Sequence, residues 1–192
     1  MFIRTALLKK FNFINKMHTC GYLFFLVPAI VLVGCENVEK KPNIPEMLHA
    51  CDLLATSEIE TMIGAPLDGM PKKTDKTSSV SNFWMSMCNY YSEEKNISIG
   101  IMIKPHGYQV HGAEAFALYE AELQEELGTK YQLEIVEGIG EHAGWDNSSG
   151  QLTIIQGSFM VILGGSGPQL KGAASLELSK KLAEKVLAQF PK

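Results

Sequence analysis

The sequence has almost no arginine. Arg4 is the only one in 192 residues, and every other cation is lysine. Arginine is the usual residue for bidentate recognition of phosphate and carboxylate, so its near absence argues against phosphoryl or nucleotide chemistry; a lysine-biased genome is the other explanation. Acids are absent from the first 34 residues, which hold Arg4, Lys9, Lys10 and Lys16. No apolar run reaches the roughly 20 residues that a helix needs to span a bilayer. Excess positive charge is absent too: the net charge is −4 and the pI about 5.7, which excludes a basic surface for nucleic acid. The content of 46% hydrophobic and 20% charged residues, with 17 Gly and 8 Pro, excludes collagen-like, low-complexity and wholly disordered chains. The length suits one domain or two small ones.

The acid-free start is followed by the apolar run Tyr22–Val33, ending in Leu32-Val33-Gly34-Cys35. A basic segment, a short apolar segment and small residues before a cut form a secretory signal. The Cys after Leu-Val-Gly resembles the lipobox of bacterial lipoproteins. The resemblance implies that Cys35 is diacylated, becomes the new N-terminus and is acylated there. An ordinary signal peptide or an N-terminal anchor helix is the alternative. Met17 is a second candidate start, but it would discard every cation of the basic segment, so Met1 is preferred. Several acyl chains, at about 0.8 kcal/mol per buried CH₂, would hold the chain on a membrane. Glu36 replaces the Asp that resembles an inner-membrane retention signal, which favours the periplasmic face of the outer membrane in a diderm host. The expected organisation is a signal over 1–34, a lipidated tether over 35–45 and one domain over 46–190. After the signal, 13 lysines face 21 acids, a balance of −8.

There are four cysteines. Cys20 leaves with the signal and Cys35 carries lipid. Cys51 and Cys88 remain in a compartment that oxidises thiols, which predicts a Cys51–Cys88 disulfide. Its loop of roughly 38 residues gives about 3–4 kcal/mol on the chain-entropy estimate. Two free thiols or a metal pair are the alternatives.

Residues 36–45 are polar and contain proline, as a tether does. A helix is predicted from Pro45, with Met47, Leu48, Cys51 and Leu54 on one face. A second runs from Thr56 as N-cap to Gly64 as C-cap, with Ile59, Met62 and Ile63 inside. Residues 68–82 read as loop or a weak edge strand. Phe83–Ser92 and Asn96–Lys104 alternate and form a hairpin. Residues 112–128 form an amphipathic helix with glutamates outside. Tyr131–Glu137 reads as a strand, and Gln151–Gln156 with Ser158–Leu163 as a hairpin turning near Gly157. Residues 164–168 break the chain, and Ala173–Phe190 is a final amphipathic helix. Helices and antiparallel hairpins in this order give an α+β fold, with helices packed on antiparallel β-sheet. Two diverged helix-plus-hairpin halves are a further expectation.

Three stretches carry a family resemblance: Cys51-Asp-Leu-Leu-Ala-Thr-Ser-Glu-Ile with Gly64, Cys88-Asn-Tyr90, and Gly138-Ile-Gly-Glu-His-Ala-Gly-Trp145. Together they resemble a family of bacterial envelope lipoproteins, best known among actinobacteria and classed as a domain of unknown function. Its members share a Cys-Asp-Leu-Leu start, a Cys-x-Tyr strand and a Gly-x-Gly-x-x-Ala turn. The resemblance covers about residues 51–163 and departs at Ala55 and at the inserted Gly144. It supports the Cys51–Cys88 bridge and implies no catalytic residues.

Catalytic patterns are thin. His106 and His111 precede a helix near Glu114, and two imidazoles with a carboxylate could hold zinc. The spacing matches no established ligand pair, and exposed loop histidines are the simpler explanation. Gly138-x-Gly-x-x-Ala143 has the letters of a dinucleotide loop, but no helix is predicted after it. Ser166 lacks the elbow of a serine hydrolase. Asp146 near His142 suggests a dyad with no evident nucleophile, and Cys88 is a nucleophile only if unbridged. The expectation is a lipid-anchored, non-catalytic binding or assembly module that needs no cofactor. Its expected contacts are the membrane, through lipid, and an envelope protein partner, with no nucleic acid. The aromatic candidates for binding are Trp84, Tyr90, Tyr91 and Trp145, with Phe83 beside them; core packing is their competing role. The alternative function is a metal-assisted periplasmic hydrolase using His106 and His111.

Overall fold

The computed structural model describes residues 44–79 and 83–190. The expectations for the signal over 1–34, for the start at Met1 or Met17, for Cys35 and for the tether up to residue 43 lie outside the described residues.

Alternating sequences dominate the described chain, and they build one antiparallel sheet of seven strands. These are β1 (Lys72–Ser78), β2 (Phe83–Ser92), β3 (Ile97–Pro105), β4 (Glu134–Ile135), β5 (His142–Asp146), β6 (Gln151–Gln156) and β7 (Phe159–Ser166). Their order is β1-β2-β3-β7-β6-β5-β4. Three helices, α1 (Thr56–Ile63), α2 (Gly112–Leu127) and α3 (Ala173–Leu187), complete an α+β fold. The meanders β1–β3 and β5–β7 join side by side through β3 and β7, with Ile101 opposite Leu163. The expected halves therefore share a single sheet, and their helices α1 and α2 lie on opposite faces of it.

Strand parity decides what is inside. Trp84, Cys88 and Tyr90 of β2, Ile99 and Ile101 of β3, Val161 and Leu163 of β7, Ile154 of β6 and Trp145 of β5 share one face. The segment before α1, Ile59 of α1, and Leu182, Ala183 and Val186 of α3 cover that core face. Each large side chain buried there contributes about 1.5–3 kcal/mol. On the other face, α2 covers β5–β7 by packing Ala115 and Phe116 on Ile155 and Met160. Gly144 makes this approach possible: a Cβ there would stand 2.4 Å from Phe116 Cζ.

The first predicted helix is a correction. Residues 44–49 form no regular element, His49 is extended, and one 3₁₀ turn, Ala50–Asp52, follows. Long-range bonds claim this stretch. Trp84 Nε1 donates to the Pro45 carbonyl at 2.8 Å, and the Ala50 amide donates to Ser86 Oγ at 2.9 Å. The Cys51–Cys88 disulfide is formed and fastens the turn to the middle of β2. Ala55, not Thr56, caps α1, and the Glu58 carboxylate accepts the Ala55 amide. The Ala55 amide and the ammonium of Lys185 hold Glu58 below its usual carboxylate range. Gly64 ends α1 at φ 67°, as predicted. Residues 72–78 are a full edge strand, residues 142–146 are a strand instead of a turn, and the strand predicted over 131–137 shrinks to Glu134–Ile135.

Candidate functional site

The same parity that buries Cys88 turns Met85, Met87, Asn89 and Tyr91 of β2 to the opposite face. In register with them lie Lys72, Thr74 and Lys76 of β1 and Ser98, Gly100, Met102 and Lys104 of β3. Among the described residues, neither apolar cluster includes any of these side chains. Here the sheet has one covered face and one open face.

The open face has internal structure. One row runs across the strands as Thr74, Met87, Met102 and Ile162. It ends at Thr153 of β6, which hydrogen-bonds Tyr119 of α2. The helix therefore stands as a wall along one side of the open strip. The next row is Lys72, Asn89, Gly100, Gly164 and Gln151. Two glycines in line leave a hollow of about 250 Å³ between methionines on one side and Ser98, Ser149 and Ser166 on the other.

Charge is segregated on this face. Strands β1, β2, β3 and β7 carry a single acid, Asp75, and it points to the core face. Asp75 accepts from Ser86 at 2.6 Å and lies 2.9 Å from His49 Nδ1 and 3.3 Å from Lys73 Nζ. Burial opposes its charge, but the bonds from Ser86 and Lys73 hold it below the usual carboxylate range. Lys72, Lys76 and Lys104 on the open face form no ion pair among the described residues. Three cations and a methionine patch thus meet solvent without an acid among them.

The four aromatic candidates do not converge. Trp84, Tyr90 and Trp145 are 6%, 1% and 2% exposed and lie in the core. The Trp84 indole donates to Pro45, and the Tyr90 hydroxyl to the Leu54 carbonyl at 3.3 Å. Tyr91 alone stands on the open face, with Phe83 at the start of the same strand. The methionines and lysines around them were not singled out by sequence reasoning. The signal was there: once Cys88 faces inward, every odd-numbered position of β2 faces outward.

His106 and His111 do come together, with ring centroids 6.0 Å apart. Both point a ring nitrogen at the Gly157 carbonyl, His106 Nε2 at 2.9 Å and His111 Nδ1 at 3.2 Å. A carbonyl only accepts, so each nitrogen donates. The other nitrogen of His106 accepts from the Tyr108 amide at 3.0 Å. Both His106 nitrogens are thus spent on the backbone, and in this geometry the ring offers no lone pair to a metal. Among the described residues no three His, Cys, Asp or Glu side chains are grouped as a metal site. His142 and Asp146 lie at opposite ends of β5. His142 packs 4.6 Å from the Phe116 ring, and Asp146 caps its own turn through Ser148 and Ser149. Burial opposes the Asp146 charge, but bonds from Ser148, Ser149 and Tyr131 hold its carboxyl at about 2. Gly138 and Gly140 are turn positions at φ 78° and 59°, leading into β5 and not into a helix.

Comparison of the chain with family models, with curated proteins and with solved structures finds no match.

Proposed function

We propose that this chain is a lipid-anchored protein of the bacterial envelope and acts as a non-catalytic binding or assembly module through the open face of β1–β3. The observation that carries this reading is that face: among the described residues neither apolar cluster reaches one side of β1–β3, and that side gathers Met85, Met87 and Met102 inside a margin of Lys72, Lys76 and Lys104. A contact surface of this kind pairs apolar area with unpaired charge. An exposed sheet face with half-buried methionines suits an adaptable partner surface.

The anchor reading rests on the lipobox resemblance at Cys35. Ile44 and Pro45 lie at the end of the sheet formed by Trp84, Pro105 and Ser158. The eight residues between Cys35 and Ile44 span at most about 28 Å. A lipid on Cys35 would keep that end of the sheet within about 30 Å of the membrane and leave the open face standing beside it. Glu36, where an Asp would resemble the inner-membrane retention signal, supports the outer membrane of a diderm host within this reading.

The test pairs the two claims. Cells producing the full chain are fed an alkyne-tagged fatty acid, and tagged protein is crosslinked and identified by mass spectrometry. Wild type is expected to carry the label and to give one dominant partner adduct. Cys35→Ser is expected to lose both label and adduct. Label retained by Cys35→Ser removes the anchor. A dominant adduct that survives Lys72→Glu/Lys104→Glu unchanged removes the open face as the contact surface.

A further inference from the structure

The open strip has a neighbour on the same side of the sheet. Helix α2 rises over β5–β7 as a ridge next to it, and the ridge has the opposite character. It carries five glutamates and no lysine. Glu114, Leu118, Ala121 and Glu125 fall at spacings that share its outer face, and all are exposed. Ala117 and Ala121 keep the crest low, and Leu118 is 45% exposed on it. Of the six large apolar side chains left exposed among the described residues, Phe83 and Tyr91 belong to the open strip and Leu118 and Leu127 to α2. One side of one sheet thus holds a basic, methionine-floored step beside an acidic ridge with an apolar crest.

We infer that the occupant of the step is α2 of a second copy of this chain, so that two copies pair as a symmetric dimer with each ridge in the other's step. This rests on the reading of the open face as the contact surface and names what covers it. The dimensions agree. Three strands about 4.8 Å apart make a strip about 10 Å between outer axes, and a helix is about 10–12 Å across. A 16-residue helix is about 24 Å long. Counting strip and ridge on both copies gives buried surface on the order of 1,200 Å², the lower bound for a stable interface.

The symmetry is fixed by the layout. A two-fold axis that carries ridge onto step, with both sheets facing each other, must run along the strands. An axis across the strands would set ridge on ridge. Rotation about the strand direction leaves the ends of the strands where they are, so both Ile44 positions fall at the same end of the dimer. Two lipid anchors can then enter one membrane. Charge fits as well: Lys72, Lys76 and Lys104 of one copy would meet Glu114, Glu122 and Glu125 of the other, and like charges would repel any pairing of step with step or ridge with ridge.

The test is made on the full chain in cells, with a photoreactive amino acid at Met87 and two distinguishable tags. The expected product is a chain-to-chain adduct whose mapped site lies in residues 113–127 of the other copy. Lys72→Glu/Lys104→Glu is expected to reduce that adduct at least tenfold, and Glu114→Lys/Glu125→Lys by as much. Producing the two reversed chains together is expected to restore the adduct between them and not within either tag. An adduct at Met87 with a different protein overturns the second copy and keeps the open face as a contact surface. No intermolecular adduct at Met87, with the photoreactive group shown by mass spectrometry to be incorporated and consumed on irradiation, overturns both. Charge reversal that leaves the adduct unchanged overturns the ridge-in-step geometry.

Discussion

The two halves of the sheet are built from similar meanders but solve different packing problems. In β6, four successive residues, Leu152, Thr153, Ile154 and Ile155, are buried, because α3 lies on one face and α2 on the other. In β2 and β3 burial alternates strictly, because only one face is covered among the described residues. A strand closed on both sides reads as a continuous apolar run, and one open on a side reads as alternation. The contrast is what the proposed contact surface rests on: the covered half is packed on both faces, and the half-covered one has a face to spare.

The halves also differ in how their cover is attached. Helix α2 is held by ring packing of Phe116 against Met160 and Ile155. The segment over β2 is short and irregular, and a covalent bridge holds it. We expect Cys51→Ala/Cys88→Ala to have the largest effect, about 4 kcal/mol for a separation of 37 residues. Urea unfolding measures the total, and hydrogen exchange sharpens the comparison. Amides of β1–β3 should gain exchange, while those of β6 and β7 keep their protection. Uniform loss over all seven strands would erase the distinction between the halves.

A matched pair of glycines gives the next effect. Gly144→Ala puts a methyl 2.4 Å from Phe116 and 2.9 Å from Leu133 Cβ, under α2. It should cost about 1–3 kcal/mol. Gly100→Ala, on the open strip, meets nothing closer than Asn89 Oδ1 at 3.4 Å and should change stability by less than about 0.5 kcal/mol. Equal costs in a denaturation series would contradict the assignment of covered and open faces.

The pH dependence is smaller. Asp75 fastens the half-covered side, and Asp146 closes the turn beside β6; both have carboxyls held below the ordinary value of 3.8. A lowered folded value means stability that is present above the unfolded value and lost as pH falls through the folded one. For Asp146 that window runs from about 4 down to about 2. Solvent at the turn screens its bonds, so Asp146→Asn should cost about 1 kcal/mol at pH 7 and almost nothing at pH 2. A wild-type–variant difference that stays constant from pH 7 to pH 2 would contradict the role given to this carboxylate.

Much of this contrast was legible in the residues themselves. The alternation over 83–92 and 97–103, the hairpin at Gly157, the three helices and the pairing of Cys51 with Cys88 follow from period, turn chemistry and redox compartment. Strand β5 was not legible, because Gly144 breaks the apolar pattern where Phe116 needs the space. Strand β1 was legible only as one of two alternatives, loop or weak edge strand: Lys-Lys-Thr-Asp-Lys-Thr-Ser has no apolar alternation, since its open face is polar and its core-face Asp75 is satisfied by hydrogen bonds. Lysines on an edge strand also guard it against pairing with another chain's edge. The first helix was misread because Met47, Leu48 and Leu54 have helical spacing, while Trp84, Ser86 and Cys88 hold that stretch in another shape. For the site, the tryptophans drew notice by residue type, whereas parity with Cys88 sends Trp84 and Tyr90 inward and leaves Met85, Met87 and Tyr91 outside.

Methionine footprinting in intact cells asks whether anything covers the open face, and the chain carries its own controls. Met70 is 93% exposed and Met160 is 1% exposed. In dilute, detergent-solubilised protein, mild oxidant should convert Met70 first, Met85, Met87 and Met102 next, and Met160 last. In the envelope, Met85, Met87 and Met102 should become as protected as Met160 while Met70 stays reactive. If all three remain as reactive in cells as in dilute solution, nothing covers the open face, and the account of that face as the working surface is wrong.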